Sequence, residues 1–284
     1  MKLRRFNLEP YLLLIPSTVY LVLLLGWPMI QAFKIAFQTK EGQWTMSYIQ
    51  RMVNDVIFWK AIRTTLLFIV TIIPLQFILA LAMALLVTAK LRGSGLFVYV
   101  YSIPLAISDL AAGIVWFSIF TEHGYLNSVL SSLGLLDKPF IFLSYQTSWP
   151  VVAVILAEVW RATSIVFVIL VAGLQSIPPD YVEAAEVFGA SWFQRLWRVI
   201  LPMLRPSIQV ALILRTIYAL QVFGVVQALA GDAVSVVIAE AYRWYHVYRS
   251  PNMAAAYATL VLVLSLATTW LYLRTLRVGE ELRM

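Results

Sequence analysis

Long apolar runs, each bounded by a short polar segment, recur along this chain. A helix needs about 20 mostly apolar residues, rising about 1.5 Å each, to cross a bilayer core about 30 Å thick. Residues 11–33 and 64–89 meet that length without a charge. Residues 96–121 carry Asp109, 149–175 carry Glu158 and Arg161, and 203–229 carry Arg215 deep inside, with Arg205 at the edge. A last run, 253–275, is charged only near its end, at Arg274. The pattern predicts an all-α membrane protein: one transmembrane domain over 1–284 with six spanning helices. Pro16, Pro28, Pro74 and Pro104 fall in or near these runs, where bundled helices tolerate them better than soluble ones do.

Between the fourth and fifth runs the pattern changes. Pro178-Pro179-Asp180 stops one helix and starts another, with Asp180 expected as the cap and Asp180 and Glu183 at capping-box spacing. Tyr181, Ala184, Ala185 and Phe188 recur at i, i+3, i+4 and i+7 and so share one apolar face. Gly189 is suited to the left-handed residue that closes such a helix. A short helix over 180–189 is expected, with two alanines in its middle that let another surface approach closely.

Composition agrees with a bilayer. Hydrophobic residues make up 62% of the chain and charged ones 12%, against about 25% charged in soluble domains. The net charge of +7 forms no long basic stripe, so nucleic acid is not an expected partner. The basic residues border the apolar runs, where they orient a membrane protein. Counted over the loops, eleven lie on the side of the termini and of residue 183, and eight on the other. Lys2, Arg4 and Arg5 before the first run and the Lys90–Arg92 turn weigh most. Both termini and the 183 loop are therefore expected in the cytoplasm, with 38–59, 122–148 and 230–252 facing outward. The first run has no small-residue cleavage site, so it reads as a retained span rather than a signal peptide. There is no cysteine. His123 and His246 have no second ligand at useful spacing, so no metal is assigned.

The run from 183 to 206 reads EAAEVFGASWFQRLWRVILPMLRP. With glycine at about 7% and proline at about 5% of residues, Gly189 and Pro202 fall at their offsets together by chance about once in 300. This layout closely resembles the cytoplasmic loop by which integral-membrane permeases of ABC importers dock on their ATPases. The resemblance covers nearly the whole chain and points to the carbohydrate-importing branch, the maltose and glycerol-phosphate type. It is carried by Ala172-Gly173-Leu174-Gln175-Ser176-Ile177-Pro178 before the loop and by Leu12-Leu13-Leu14-Ile15-Pro16 with Trp27-Pro28 near the amino terminus. Tyr125-Leu126-Asn127, Leu133-Gly134-Leu135 and Ala254-Ala255-Ala256 add to it. Two places depart from it: Phe188 stands where the family usually has aspartate, and Gly231-Asp232-Ala233 where a Gly-Gly-Pro turn is common.

The resemblance implies the type I importer fold and a permease in the inner membrane of a prokaryote that moves a sugar, a di- or oligosaccharide, by alternating access, with glycerol phosphate or another polyol as the alternative cargo. It implies Tyr181, Glu183, Ala184, Ala185, Phe188 and Gly189 as the ATPase-coupling residues. The implied partners are a second, similar permease in a heterodimer, with a homodimer as the alternative, two ATPase chains that bind ATP and magnesium, and an extracytoplasmic sugar-binding protein. The chain itself has no G-x-x-x-x-G-K-[ST] loop, so no cofactor and no enzymatic activity are expected of it.

A charge at bilayer depth costs at least about 2.5–3.5 kcal/mol on insertion scales, so Asp109, Glu158, Arg161 and Arg215 should face the bundle interior or water. Sugar sites combine an aromatic surface with polar groups. Glu158, Trp160, Arg161, Arg215 and Tyr218 are therefore candidates for the substrate path, and an ion-pair network bracing helices is the other reading. A secondary transporter using these charges as a proton relay, or a purely structural subunit, would account for them equally well. Neither would account for the 183–206 layout.

Overall fold

A computed structural model describes residues 9–39, 41–89 and 92–276, with side chains from residue 12 onward. Lys2, Arg4, Arg5, Lys40, Lys90, Arg277 and Arg283, on which part of the charge count rests, lie outside the described residues. Helix α1 (Glu9–Leu21) passes through a π-helical stretch, Val22–Gly26, into α2 (Trp27–Ala36). Helices α3 (Ser47–Val53), α4 (Val56–Thr88) and α5 (Ser94–Ser102) follow. A 3-10 turn, Ile103–Ala106, leads to α6 (Asp109–Phe120) and then α7 (Tyr125–Ser132). Next come α8 (Trp149–Gln175), α9 (Pro179–Val187) and α10 (Trp192–Arg195). A second π stretch, Leu196–Ile200, joins α10 to α11 (Leu201–Leu220). The last helices among the described residues are α12 (Gly224–Leu229), α13 (Val237–His246) and α14 (Pro251–Thr275). Among the described residues the sole β feature is an isolated bridge between Gln38 and Trp44.

Both π stretches end two residues before a proline, Pro28 and Pro202. In each, the residue before the proline donates its N–H five residues back: Trp27 to the Val22 carbonyl, Leu201 to that of Leu196. Proline in a helix clashes with the carbonyl four residues earlier. The wider π register moves that carbonyl aside and lets the helix continue.

Two expected spans change course in the structure, and others shift at their ends. Residues 96–121 do not form a single helix: the chain bends by 100° between the segments Ser94–Ala106 and Asp109–Ser132. Pro104 sits at the start of the 3-10 turn, Ile107 is extended, and the Ser108 side chain accepts the Ala111 N–H at 3.2 Å to open α6 as a new helix. The expected span 203–229 instead runs from Trp192 to Leu220. It stops at Gln221, whose backbone leaves helical geometry, and 224–229 belongs to the separate α12. The second span starts at Val56 rather than 64 and takes in Lys60 and Arg63. The fourth matches at 149–175, and the sixth begins at Pro251.

The chain divides into two compact units. One combines residues up to 55 with 241–260. Within it, Asn252 Nδ2 donates to the carbonyls of Ile35 at 2.9 Å and Gln38 at 2.8 Å. The Arg51 guanidinium lies 5.2 Å from the centre of the Trp244 ring. No residue in the most apolar window of the first span, Leu12–Phe37, is buried, as suits a helix surrounded by lipid or another protein.

The larger unit holds the described residues of 56–240 and 261–276. Its core is built on α4 and α8. Phe58, Ala61, Thr65, Phe68, Ile72, Gln76, Ala80, Ala84 and Val87 are buried on α4 at three- and four-residue intervals, one continuous face. Ala153, Val154, Ala157 and Glu158 do the same on α8. Lipid is as apolar as leucine and gives no hydrophobic drive between helices, so close packing through alanines and satisfied polar contacts hold them. Val225, Val226 and Leu229 of α12 join Ala112 of α6 in the same core. A Cβ on Gly224 would come within 2.7 Å of the Asp109 Cβ and 2.8 Å of the Leu110 nitrogen. Glycine there lets α12 seat against the first residue of α6 and fixes where Asp109 stands.

Candidate functional site

Asp109, Glu158, Arg161 and Arg215 gather into one network, all within the larger unit. Glu158 on α8 and Arg215 on α11 are fully buried, and Arg215 Nη2 meets Glu158 Oε2 at 2.8 Å. Arg161, one turn along α8, reaches Glu158 Oε1 at 3.2 Å with Nη2 and Asp109 Oδ1 at 3.0 Å with Nη1. Arg215 Nε donates to Gln76 Oε1 at 2.5 Å, while Gln76 Nε2 donates to the Glu158 carbonyl at 2.8 Å. Each carboxylate thus faces a guanidinium, and the buried amide uses both ends of its side chain. Two positive and two negative charges balance one another, which is how such groups persist away from water, while Arg215 Nη1 stays buried without a hydrogen-bond partner among the described residues.

The bend in the third span makes this possible. It places Asp109 in the first turn of α6, where the amide dipoles favour a carboxylate, and brings it to Arg161. A straight helix over 96–121 would have carried Asp109 at mid-span instead.

Beside the network lies a cavity of about 350 Å³, lined by Asp109, Arg161, Arg215, Tyr218 and Gln221 with Leu105, Ile107, Ala162 and Ile165. Tyr218 is 49% exposed and forms part of its wall. Asp109 keeps 46% of its side chain accessible, Arg161 16%. Of the substrate-path candidates, Arg161, Arg215 and Tyr218 line the cavity. Glu158 sits behind the arginines. Trp160 does not line it: its ring packs edge-on against Trp116, with centroids 6.1 Å apart, because it is one residue, a rotation of about 100°, from Arg161 on α8. The sequence reading missed Gln76 and Gln221. Gln76 left a signal, as the one amide in the apolar run 64–89.

The second candidate site is α9. It is closed as expected: Gly189 has φ +76°, Ala190 N–H donates to the Ala185 carbonyl at 3.0 Å, and Gly189 N–H to that of Glu186 at 2.9 Å. These are the two bonds of a Schellman motif. Its opening differs. Pro178 occupies the cap position without a side-chain hydrogen bond, and Asp180 lies inside the first turn. The Asp180–Glu183 capping box does not form. One appears instead at the next helix, where Ser191 and Gln194 exchange bonds. A proline pair already removes two orphan donors at the start of α9, which leaves Asp180 little to cap.

Val182 turns inward, lining an apolar groove of about 620 Å³ with Leu174, Ile177, Trp192 and Ile200. Ala185 is half-buried, while Tyr181, Glu183, Ala184 and Gly189 are exposed. Val187 at 86% and Phe188 at 89% exposed are presented outright. A Glu186–Arg195 ion pair at 2.7 Å ties α9 to α10.

Residues 78–275 match the family described as binding-protein-dependent transport system inner membrane component. The chain belongs to this family. Among its relatives is a trehalose/maltose transport system permease protein of Thermococcus litoralis, 31% identical over 95% of this chain and 94% of the relative. A lactose transport system permease protein of Rhizobium radiobacter is 29% identical over 93% and 92%. An sn-glycerol-3-phosphate transport system permease protein of Agrobacterium fabrum is 26% identical over 92% of both chains. The fold is shared with a chain in the crystal structure of a bacterial ABC transporter that imports the acidic polysaccharide alginate. The TM-score is 0.78, with 23% identity over 95% of each chain. The architecture is therefore that of a type I importer permease, and this family member is an inner-membrane transport component.

Proposed function

We propose that this permease subunit carries a sugar or related polyol across the inner membrane, driven by ATP hydrolysis on separate subunits. Its partners would be a second permease, two ATPase chains and an extracytoplasmic sugar-binding protein, with both termini and α9 in the cytoplasm. The relatives named for trehalose, maltose, lactose and glycerol phosphate support the cargo class.

The observation that carries the coupling part is the surface of α9. An apolar residue as exposed as Phe188, beside Val187, Tyr181 and Ala184 on a helix closed at a fixed glycine, is costly in water. It is accounted for by a partner that covers it. Glu183 beside this surface supplies a charge to orient the contact. The cavity at Asp109, Arg161, Arg215 and Tyr218 is the proposed solute path.

Gly189→Leu tests the coupling. A side chain at φ +76° is strained, and it would open the Schellman closure and project from the docking surface. Co-purified ATPase and sugar-stimulated hydrolysis should both fall, while Glu183→Gln, which leaves the helix intact, weakens them less. Full retention of both by Gly189→Leu would remove the docking role.

A further inference from the structure

The charges around the cavity say which solutes it accepts, given that this cavity is the solute path proposed above. Both arginines at its wall are already neutralised: Arg215 by Glu158, and Arg161 by Glu158 and by Asp109. Of the two carboxylates, Glu158 is fully buried, whereas Asp109 stands half-exposed at the cavity itself. Of the two guanidinium groups, Arg215 keeps Nη1 without a hydrogen-bond partner, but that nitrogen is buried; a phosphate or uronate in this space would find both guanidinium charges balanced, and it would meet the half-exposed Asp109 carboxylate at close range. Like charges so placed oppose binding.

An uncharged polyhydroxylated ring meets a different wall. Asp109 has one carboxylate oxygen beyond that engaged by Arg161, and it accepts from a hydroxyl. Arg161 and Gln221 donate to ring oxygens, and the half-exposed Tyr218 offers an aromatic surface to an apolar sugar face. We propose that the cavity takes uncharged sugars and that Asp109 is the residue that excludes anionic ones. Its position is set from two sides: the Ser108-capped start of α6, and the close seat of Gly224 behind its Cβ.

The test uses the full chain, purified with its partner subunits. Glucuronate, sn-glycerol 3-phosphate, maltose and trehalose are titrated by calorimetry into the wild type, Asp109→Asn and Asp109→Glu. Asp109→Asn keeps the side-chain shape against Gly224 and removes one negative charge, which leaves Arg161 partly unneutralised. It should bind at least one of the two anions at least about tenfold more tightly than the wild type does, and Asp109→Glu should restore exclusion. An unchanged anion affinity in Asp109→Asn overturns the proposal. So does a wild type that binds glucuronate or glycerol 3-phosphate more tightly than either disaccharide, a result that needs no variant to fold. Uptake of the two disaccharides by the reconstituted complex is read separately. If Asp109→Asn gains no anion binding while the wild type moves sugar, the exclusion role falls and the importer reading stands. If the anion gain appears and no sugar moves, the importer reading falls instead.

Discussion

Replacing Glu158 by glutamine strikes the centre of the buried network. Glu158 meets Arg215 at 2.8 Å and Arg161 at 3.2 Å. With charge centres about 4 Å apart and an effective dielectric constant of about 20, each attraction is on the order of 4 kcal/mol. Arg161 keeps Asp109 as a counter-charge, so the loss falls on Arg215. That side chain is fully buried and retains only the neutral Gln76. Removing one partner of a buried pair costs about 3–5 kcal/mol, because the other charge stays desolvated. At about 1.4 kcal/mol per tenfold, the folded-to-unfolded ratio should fall by a factor of at least about one hundred. Thermal unfolding of the purified complex, followed by intrinsic fluorescence and by the fraction eluting as assembled particles, measures this. Adding Arg215→Met to Glu158→Gln removes the stranded charge and should recover most of the loss. A Glu158→Gln complex as stable as the wild type, or a double variant no better than Glu158→Gln, would refute the account of the network as charge-compensated.

Three other outcomes are expected. Tyr218→Ala should lower sugar uptake several-fold in complexes matched for amount, because the aromatic wall of the cavity is lost. Trp160→Ala, whose ring packs on Trp116, should cost stability and leave the relative rates for different sugars unchanged. A change of selectivity in Trp160→Ala would place the solute path on the other side of α8. Topology is read with single cysteines at Ser131 and at Ala184, both exposed, in a chain that has no native cysteine. Ser131→Cys should react with an impermeant thiol reagent added to intact cells. Ala184→Cys, expressed without the ATPase chains, should react only after permeabilisation. The opposite pattern would put α9 outside.

The sequence by itself determined the class of the molecule and much of α9. Apolar runs of bilayer length have few alternatives, and the spacing of Gly189 and Pro202 after Glu183 is local information. So is a glycine that takes φ +76° after a short amphipathic helix. The fourth span was legible residue for residue, since Trp149-Pro150 opens it and Ser176-Ile177-Pro178 closes it.

What the sequence left open depended on partners distant along the chain. The break at Ile107 was foreshadowed by Pro104 and Ser108, yet hydropathy alone reads 96–121 as continuous, because both arms of the bend are apolar. The end of the fifth span at Leu220 was hidden for the same reason: Val225, Val226 and Leu229 are as apolar as a span and are buried against α6 and α8 instead. Intramembrane charges announce themselves by their cost, but their pairing does not. Only the packing of α4, α6, α8 and α11 decided that Gln76, 139 positions from Arg215, completes the network. The same packing turned Trp160 away from the cavity and left Asp109 facing it. Periodicity tells which residues share one helix face, and the neighbouring helices settle what that face meets.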